Sequence, residues 1–138
     1  RDLYDGIFNN LSTREFLYFW NMGTIKSVTN DYLIHSGEHQ HNLLLVLSGK
    51  ANVEVNGNAI ASLERGAFIA EISFLSGEPA SADVHAIDEL IFISWRSRRL
   101  KNMKNENPEF WMKLQHALSE DLIKKVKPQA KMESQINK

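Results

Sequence analysis

The chain reads as a mainly β protein, an eight-stranded β-roll or jelly roll with helices at both ends. Three features say so. The apolar period changes from about 3.6 residues to about 2 at Thr24, and returns to the longer value after Trp95. Between those points short apolar runs are separated by turn dipeptides, at Ser36-Gly37, Ser48-Gly49, Asn56-Gly57 and Arg65-Gly66. Strands this short and this evenly spaced suit a closed roll rather than an open parallel sheet.

The elements follow in order. Leu3, Ile7 and Phe8 share one helical face within residues 2–10, and Asn9-Asn10 stops that helix. Ser12-Thr13-Arg14-Glu15 is a capping box, in which the Ser12 hydroxyl accepts from the amide three residues on and Glu15 reaches back. The helix it opens carries Phe16, Phe19 and Trp20 on one face and ends near Gly23. The eight expected strands are Thr24–Val28, Tyr32–His35, Leu43–Leu47, Ala51–Val55, Ala59–Leu63, Ala67–Ile69, Ala82–Ala86 and Leu90–Trp95. Ala51, Val53 and Val55 alternate with Asn52 and Glu54, so that strand buries one face. Asn56-Gly57 is the strongest hairpin signal, since both residues tolerate positive φ. Glu71–Leu75 interrupts the β pattern with room for about one helical turn, closed by Ser76-Gly77.

After Trp95 the chain turns helical and basic. Asn107 caps a longer helix with Pro108 at its first position, and Phe110, Leu114, Ala117, Leu118, Leu122 and Val126 form its apolar stripe. Pro128 is the expected stop. One domain over residues 1–127 is therefore expected, with N-terminal helices in 1–23, the roll in 24–95 and C-terminal helices in 96–127. Residues 128–138 read as a disordered tail.

Composition excludes several function classes. At 138 residues there is room for one domain, and a hydrophobic share of 43% is enough for a core. The 24% charged share excludes disorder throughout. With 16 basic and 17 acidic residues there is no global basic excess, and no nucleic acid is expected as a partner. No cysteine is present, which excludes disulfide scaffolds, thiol nucleophiles and thiolate metal sites. No apolar run approaches the ~20 residues of a membrane span. Arg1 in place of a starting Met leads us to expect a piece of a longer protein. Charge is unevenly spread: residues 1–95 carry net −7 and residues 96–138 net +6. That asymmetry fits a solvated tail docked on an acidic body, or a basic face for an anionic partner.

Four motifs carry a resemblance. They are Ser36-Gly37-Glu38, then Leu47-Ser48-Gly49-Lys50, then Gly66 through Leu75, then Gly77-Glu78-Pro79-Ala80-Ser81-Ala82. In this order and spacing they resemble the cyclic-nucleotide-binding domain family, from about Phe16 to Val126. The last two stretches look like its phosphate-binding cassette. The resemblance implies a non-enzymatic sensor or regulatory domain with cyclic AMP or cyclic GMP as ligand and no further cofactor. It implies ligand contacts from Phe68, Ala70, Glu71, Ile72, Ser73, Pro79, Ala80, Ser81 and Ala82, with Glu71 accepting from the ribose hydroxyl. It also implies a mobile C-terminal helix, with Leu118 and Leu122 as lid candidates, and a homodimer through that helix.

Two positions depart from the family. Ala80 stands where an arginine pairs with the cyclic phosphate, and Ala70 stands where glycine is usual. No Arg or Lys lies between Gly66 and Trp95. Charge-assisted hydrogen bonds contribute roughly 1.5–3 kcal/mol each. Losing a bidentate pair therefore weakens binding by roughly two to four orders of magnitude. Weak, altered or lost nucleotide binding is the expectation.

A second resemblance concerns Phe92-Ile93-Ser94-Trp95-Arg96 with Leu100, and the opening Leu3 to Phe8 through Glu15-Phe16. These look like Popeye-like members, which lack the arginine too and are membrane-anchored. They imply a cytoplasmic domain whose membrane contact lies in segments outside this piece. Trp95 also has a simple role in core packing.

Other readings stay beside this one. A ligand-free structural or interaction module on the same fold is favoured by Ala80. A cupin-like metalloenzyme is suggested by His39-Gln40-His41 and opposed by the missing carboxylate, with Leu45 or Val46 in its place. No metal site is expected. Glu71 suits ligand contact and helix capping equally. Ser81 binds phosphate or closes a turn. His85 and His116 read as structural. No serine sits in a nucleophile motif, so no catalytic residue is expected.

Overall fold

The computed structural model describes residues 6–136, with side chains over 6–123. Helix α1 (Thr13–Asn21) is followed by strands β1 (Thr24–Thr29), β2 (Tyr32–Ile34), β3 (Asn42–Val55), β4 (Asn58–Leu63) and β5 (Phe68–Ile69). A short helix α2 (Glu71–Ser76) precedes β6 (Asp83–Arg96), and α3 (Ser97–Lys101), α4 (Met103–Glu106) and α5 (Pro108–Ile136) complete the chain. Of the expected first helix, residues 2–5 lie outside the described residues, and within residues 6–10 only Gly6 is helical.

The roll has six strands rather than eight, all antiparallel. Long β3 and β6 pair along their whole length, from Asn42 opposite Arg96 to Glu54 opposite Asp83. β1 and β2 share the outer edge of β6, and β4 and β5 share the outer edge of β3. The breaks expected at Ser48-Gly49 and between Ala86 and Leu90 are irregularities inside continuous strands. Register shifts between Val46 and Ser48 and between Ser48 and Lys50 absorb the extra residues. Gly49 makes the kink possible. It has φ of +90°, and a Cβ there would lie 2.3 Å from the Glu89 carbonyl oxygen.

Alternation along β3 and β6 divides the core in two. Leu43 and Leu45, with Ile93 and Trp95, face the helices and pack with Phe8, Phe19, Phe68, Leu100, Phe110, Leu114 and Leu118. Leu44 and Val46, with Val84, Ala86, Leu90 and Phe92, face the other way and pack with Ile34, Ala51 and Ile69. The second cluster lines the inside of the roll.

The capping box forms as expected: the Ser12 N–H donates to Glu15 Oε1 at 2.8 Å and the Glu15 N–H to Ser12 Oγ at 3.1 Å. Gly23 follows α1 as expected, but not as a left-handed cap. Its φ is outside that region, and a Cβ would meet Ile93 Cδ1 at 2.6 Å and Trp95 Nε1 at 2.8 Å. Asn107 caps α5 through its side chain, which accepts from the Phe110 N–H at 3.2 Å. The backbone of α5 continues past the expected stop at Pro128 to Ile136. A proline lacks the N–H for one helical bond and crowds the preceding turn, and the helix here runs through it. Residues 137 and 138 of the expected tail lie outside the described residues.

Candidate functional site

The cassette is built on the link from β5 to β6. Ala70 precedes α2 in the left-handed region, at φ 70° and ψ 22°, and its carbonyl accepts from the Phe74 N–H at 2.9 Å. Gly77 ends the helix with φ of 79°, its N–H donating to the Ser73 carbonyl at 2.8 Å. Ser76 Oγ donates to the Ile72 carbonyl at 2.7 Å and accepts from the Glu78 N–H at 3.1 Å. These local bonds make a helix of six residues self-sufficient.

The loop after α2 is laced to the β2–β3 connection. The Gly37 N–H donates to the Ala80 carbonyl at 2.7 Å, and the Ala80 N–H donates to the Glu38 carbonyl at 3.0 Å. The Ser36 N–H donates to Asp83 Oδ1 at 2.7 Å. Ser36-Gly37-Glu38 and Pro79-Ala80-Ser81-Ala82, distant in sequence, therefore form one backbone clasp. It fixes where the Ala80 side chain starts.

The site residues expected from the sequence do not share one surface. Ala70 and Ala80 both pack on the inner cluster. The two departures from the family thus contribute methyl groups to the same apolar surface. Glu71 and Ser73 are buried in α2, whereas Ile72 is 59% exposed and Ser81 is exposed. Pro79 and Ala82 are half-buried. Phe68 is turned away from these groups. It lies in the outer cluster, edge-on to Phe8 with ring centroids 5.9 Å apart.

Leu118 also belongs to the outer cluster and is fully buried, while Leu122 is half-buried. Phe110, Leu114 and Leu118 of the apolar stripe are covered by the chain itself, so they are not left over for a second copy. The wide apolar face of α1 and the packing of α3 and α4 take up that area.

Phe74 is a residue that sequence reasoning passed over. It is buried, and its ring lies 5.8 Å from that of Trp111 on α5. It therefore joins the cassette helix to the C-terminal helix. Two apolar residues, Ile72 and Phe74, stand on this short helix, and the sequence does not say which of them is buried.

The field around the cassette is acidic, with Glu71, Glu78 and Asp83 on it and Glu38 on the facing loop. His39 and His41 sit in the connection between β2 and β3, and no group of three or more metal-ligating side chains forms among the described residues. No helix among the described residues is long and apolar enough to cross a membrane.

Comparison with known proteins agrees with this geometry. The family model for the cyclic nucleotide-binding domain matches residues 25–107. No curated protein sequence matches the chain. A cyclic nucleotide-binding domain from Methylobacillus flagellatus superposes with a TM-score of 0.79 at 26% identity, over 86% of this chain and 70% of that one. The catabolite activator protein of Thermus thermophilus gives 0.74 at 19% identity, over 99% of this chain and 62% of that one. The regulatory domain of Toxoplasma gondii PKA, solved with cAMP, gives 0.63 at 19% identity, over 69% and 38%. A roll closed by helices, a helical turn between β5 and β6, and a family match covering more than half its length lead to one conclusion: the chain belongs to the cyclic nucleotide-binding domain family.

Proposed function

We propose that this chain is a non-enzymatic sensor or regulatory domain whose cassette binds cyclic AMP or cyclic GMP weakly, in altered fashion, or not at all. The observation that carries the reading is Ala80. Its backbone is clasped to Gly37 and Glu38, and its methyl group rests on the inner apolar cluster. An arginine in that position would offer a fork of donors to two phosphate oxygens. Alanine offers none, and the surrounding carboxylates repel a phosphate. What remains for an anion is the backbone of α2 and the Ser81 hydroxyl.

Signal transmission in this reading runs through Phe74 and Trp111. A ligand that favours one placement of α2 shifts the placement of α5 by its difference in affinity for the two. Titration calorimetry with cyclic AMP and cyclic GMP up to millimolar concentration tests the proposal. Weak or absent heat is expected. Micromolar affinity of the unaltered chain overturns the need for arginine here.

Two narrower readings accompany it. A homodimer through α5 is supported by half-buried Leu122 and by Ile123, which is 55% exposed beside it. Light scattering that gives the same monomer mass for the unaltered chain and for Ile123→Asp removes it. A membrane-anchored parent of the Popeye-like kind, with this domain cytoplasmic, is supported by Phe92–Arg96 and by the basic C-terminal part. A parent sequence without a long apolar run upstream of Arg1 removes that one.

A further inference from the structure

Three of the eleven basic residues of the C-terminal part line a groove between the β2–β3 connection and α3. The groove has a volume of about 610 Å³, with Gln40, His41 and Asn42 on one wall and Arg96, Arg98 and Lys101 on the other. Its lining holds three permanent cations and no carboxylate. Both walls are fixed. Asn42 pairs with Arg96 in the β3–β6 ladder, and the Ser97 N–H donates to the His41 carbonyl at 3.0 Å. Fully buried Leu100 anchors α3 in the outer core.

Among the described residues, neither Arg96 nor Arg98 has a carboxylate partner. Lys101 lies over the Phe74 ring, 5.3 Å from its centroid, which leaves its ammonium without an ion pair there. Guanidinium forks match pairs of phosphate oxygens. The Asn42 amide adds neutral donors, and Gln40 Nε2, which already donates to the Glu38 carbonyl at 3.1 Å, has one N–H left. The acidic surroundings of the cassette are absent from this lining.

From this geometry we infer that the groove is a second anion site, separate from the cassette, for a ligand carrying clustered phosphates. A soluble polyphosphate and a phosphorylated lipid headgroup share that chemistry. Lys101 belongs to the groove and touches the cassette helix through Phe74, so occupancy of the groove bears on the same helix that the cassette uses.

Calorimetry of the whole chain with inorganic triphosphate at low ionic strength tests the inference, alongside sedimentation with phosphatidylcholine vesicles that carry or lack phosphatidylinositol bisphosphate. Saturable binding is expected, falling as salt is added. Arg98→Glu is expected to weaken it by about tenfold or more. Lys26→Glu on β1 makes the same change in net charge and is expected to leave it unchanged. Thermal melting of each variant reports that the fold is kept. Binding of triphosphate without vesicle preference assigns the groove to a soluble ligand, and binding confined to the doped vesicles assigns it to a headgroup. No saturable binding of either probe, or an equal loss in Lys26→Glu, overturns the inference.

Discussion

Phe19 and Trp95 make the central joint between the helices and the roll. Their rings stack with centroids 4.2 Å apart and planes 10° from parallel, and Trp95 Nε1 donates to the Phe19 carbonyl at 2.7 Å. One side chain thus satisfies its only donor on the backbone of the residue whose ring it covers. The contact fixes the end of α1 against the end of β6, and Gly23 makes room for it. The whole indole is buried, so its removal leaves a large cavity.

Trp95→Ala is therefore expected to cost about 3–5 kcal/mol, as large aromatic truncations in cores do. Trp95→Phe keeps most of the packing and loses the indole N–H bond, at about 1 kcal/mol beyond the change in volume. Urea unfolding of both variants checks the order. Equal and small losses would contradict the packing described.

Gly49→Ala is expected to destabilise the chain more than a typical surface change, by about 2 kcal/mol or more. The new methyl meets the backbone of Glu89, which belongs to the ladder and has no free end to swing away. A denaturant midpoint close to that of the parent would show that β3 and β6 slip easily past each other at this kink.

The Ser12–Glu15–Lys113 group makes a prediction about acid. Hydrogen bonding from the Ser12 backbone N–H, then from the Lys113 ammonium at 2.9 Å, holds the Glu15 carboxyl below its ordinary value. A carboxyl lowered in the folded state stabilises the fold fully above its unfolded pKa of about 4.3. That contribution is lost as pH falls through the lower folded value. The Lys113 ammonium is raised by the same contact, so its share is present below about pH 10.4 and fades above that. Glu15→Gln is expected to flatten the acid limb of a stability-against-pH curve. Ser12→Ala is expected to cost about 1 kcal/mol at neutral pH. An unchanged acid limb in Glu15→Gln would exclude the coupling.

Ala80→Arg is expected to strengthen cyclic nucleotide binding by about 2–4 kcal/mol, that is, by more than tenfold. The clasp to Gly37 and Glu38 already fixes the Cα. Arginine would also offset Glu71, Glu78 and Asp83. Ala70→Gly removes a methyl group from the inner cluster and suits the left-handed backbone there. The double variant should bind at least as well as Ala80→Arg alone. Calorimetry of the unaltered chain and the two variants with cyclic AMP decides it, and no gain in either would leave Ala80 irrelevant to binding.

The sequence by itself determined what is local. The Ser12–Glu15 box, the Asn56-Gly57 turn, the Asn107 cap and the helical turn at Glu71–Ser76 all depend on contacts within about four residues, and each forms where it was read. The roll itself was legible because alternation records which side of a strand is buried. Tertiary structure alone decided the rest. Whether Ser48-Gly49 ended a strand or kinked one depended on β6 pairing on both sides of it. Two apolar faces look alike in a sequence, so nothing local could turn Phe68 and Leu118 toward the helices and Ala70 and Ala80 into the roll. The basic groove needed residues 40–42 and 96–101 brought together by the β3–β6 ladder, a contact across more than fifty residues that only the folded sheet supplies.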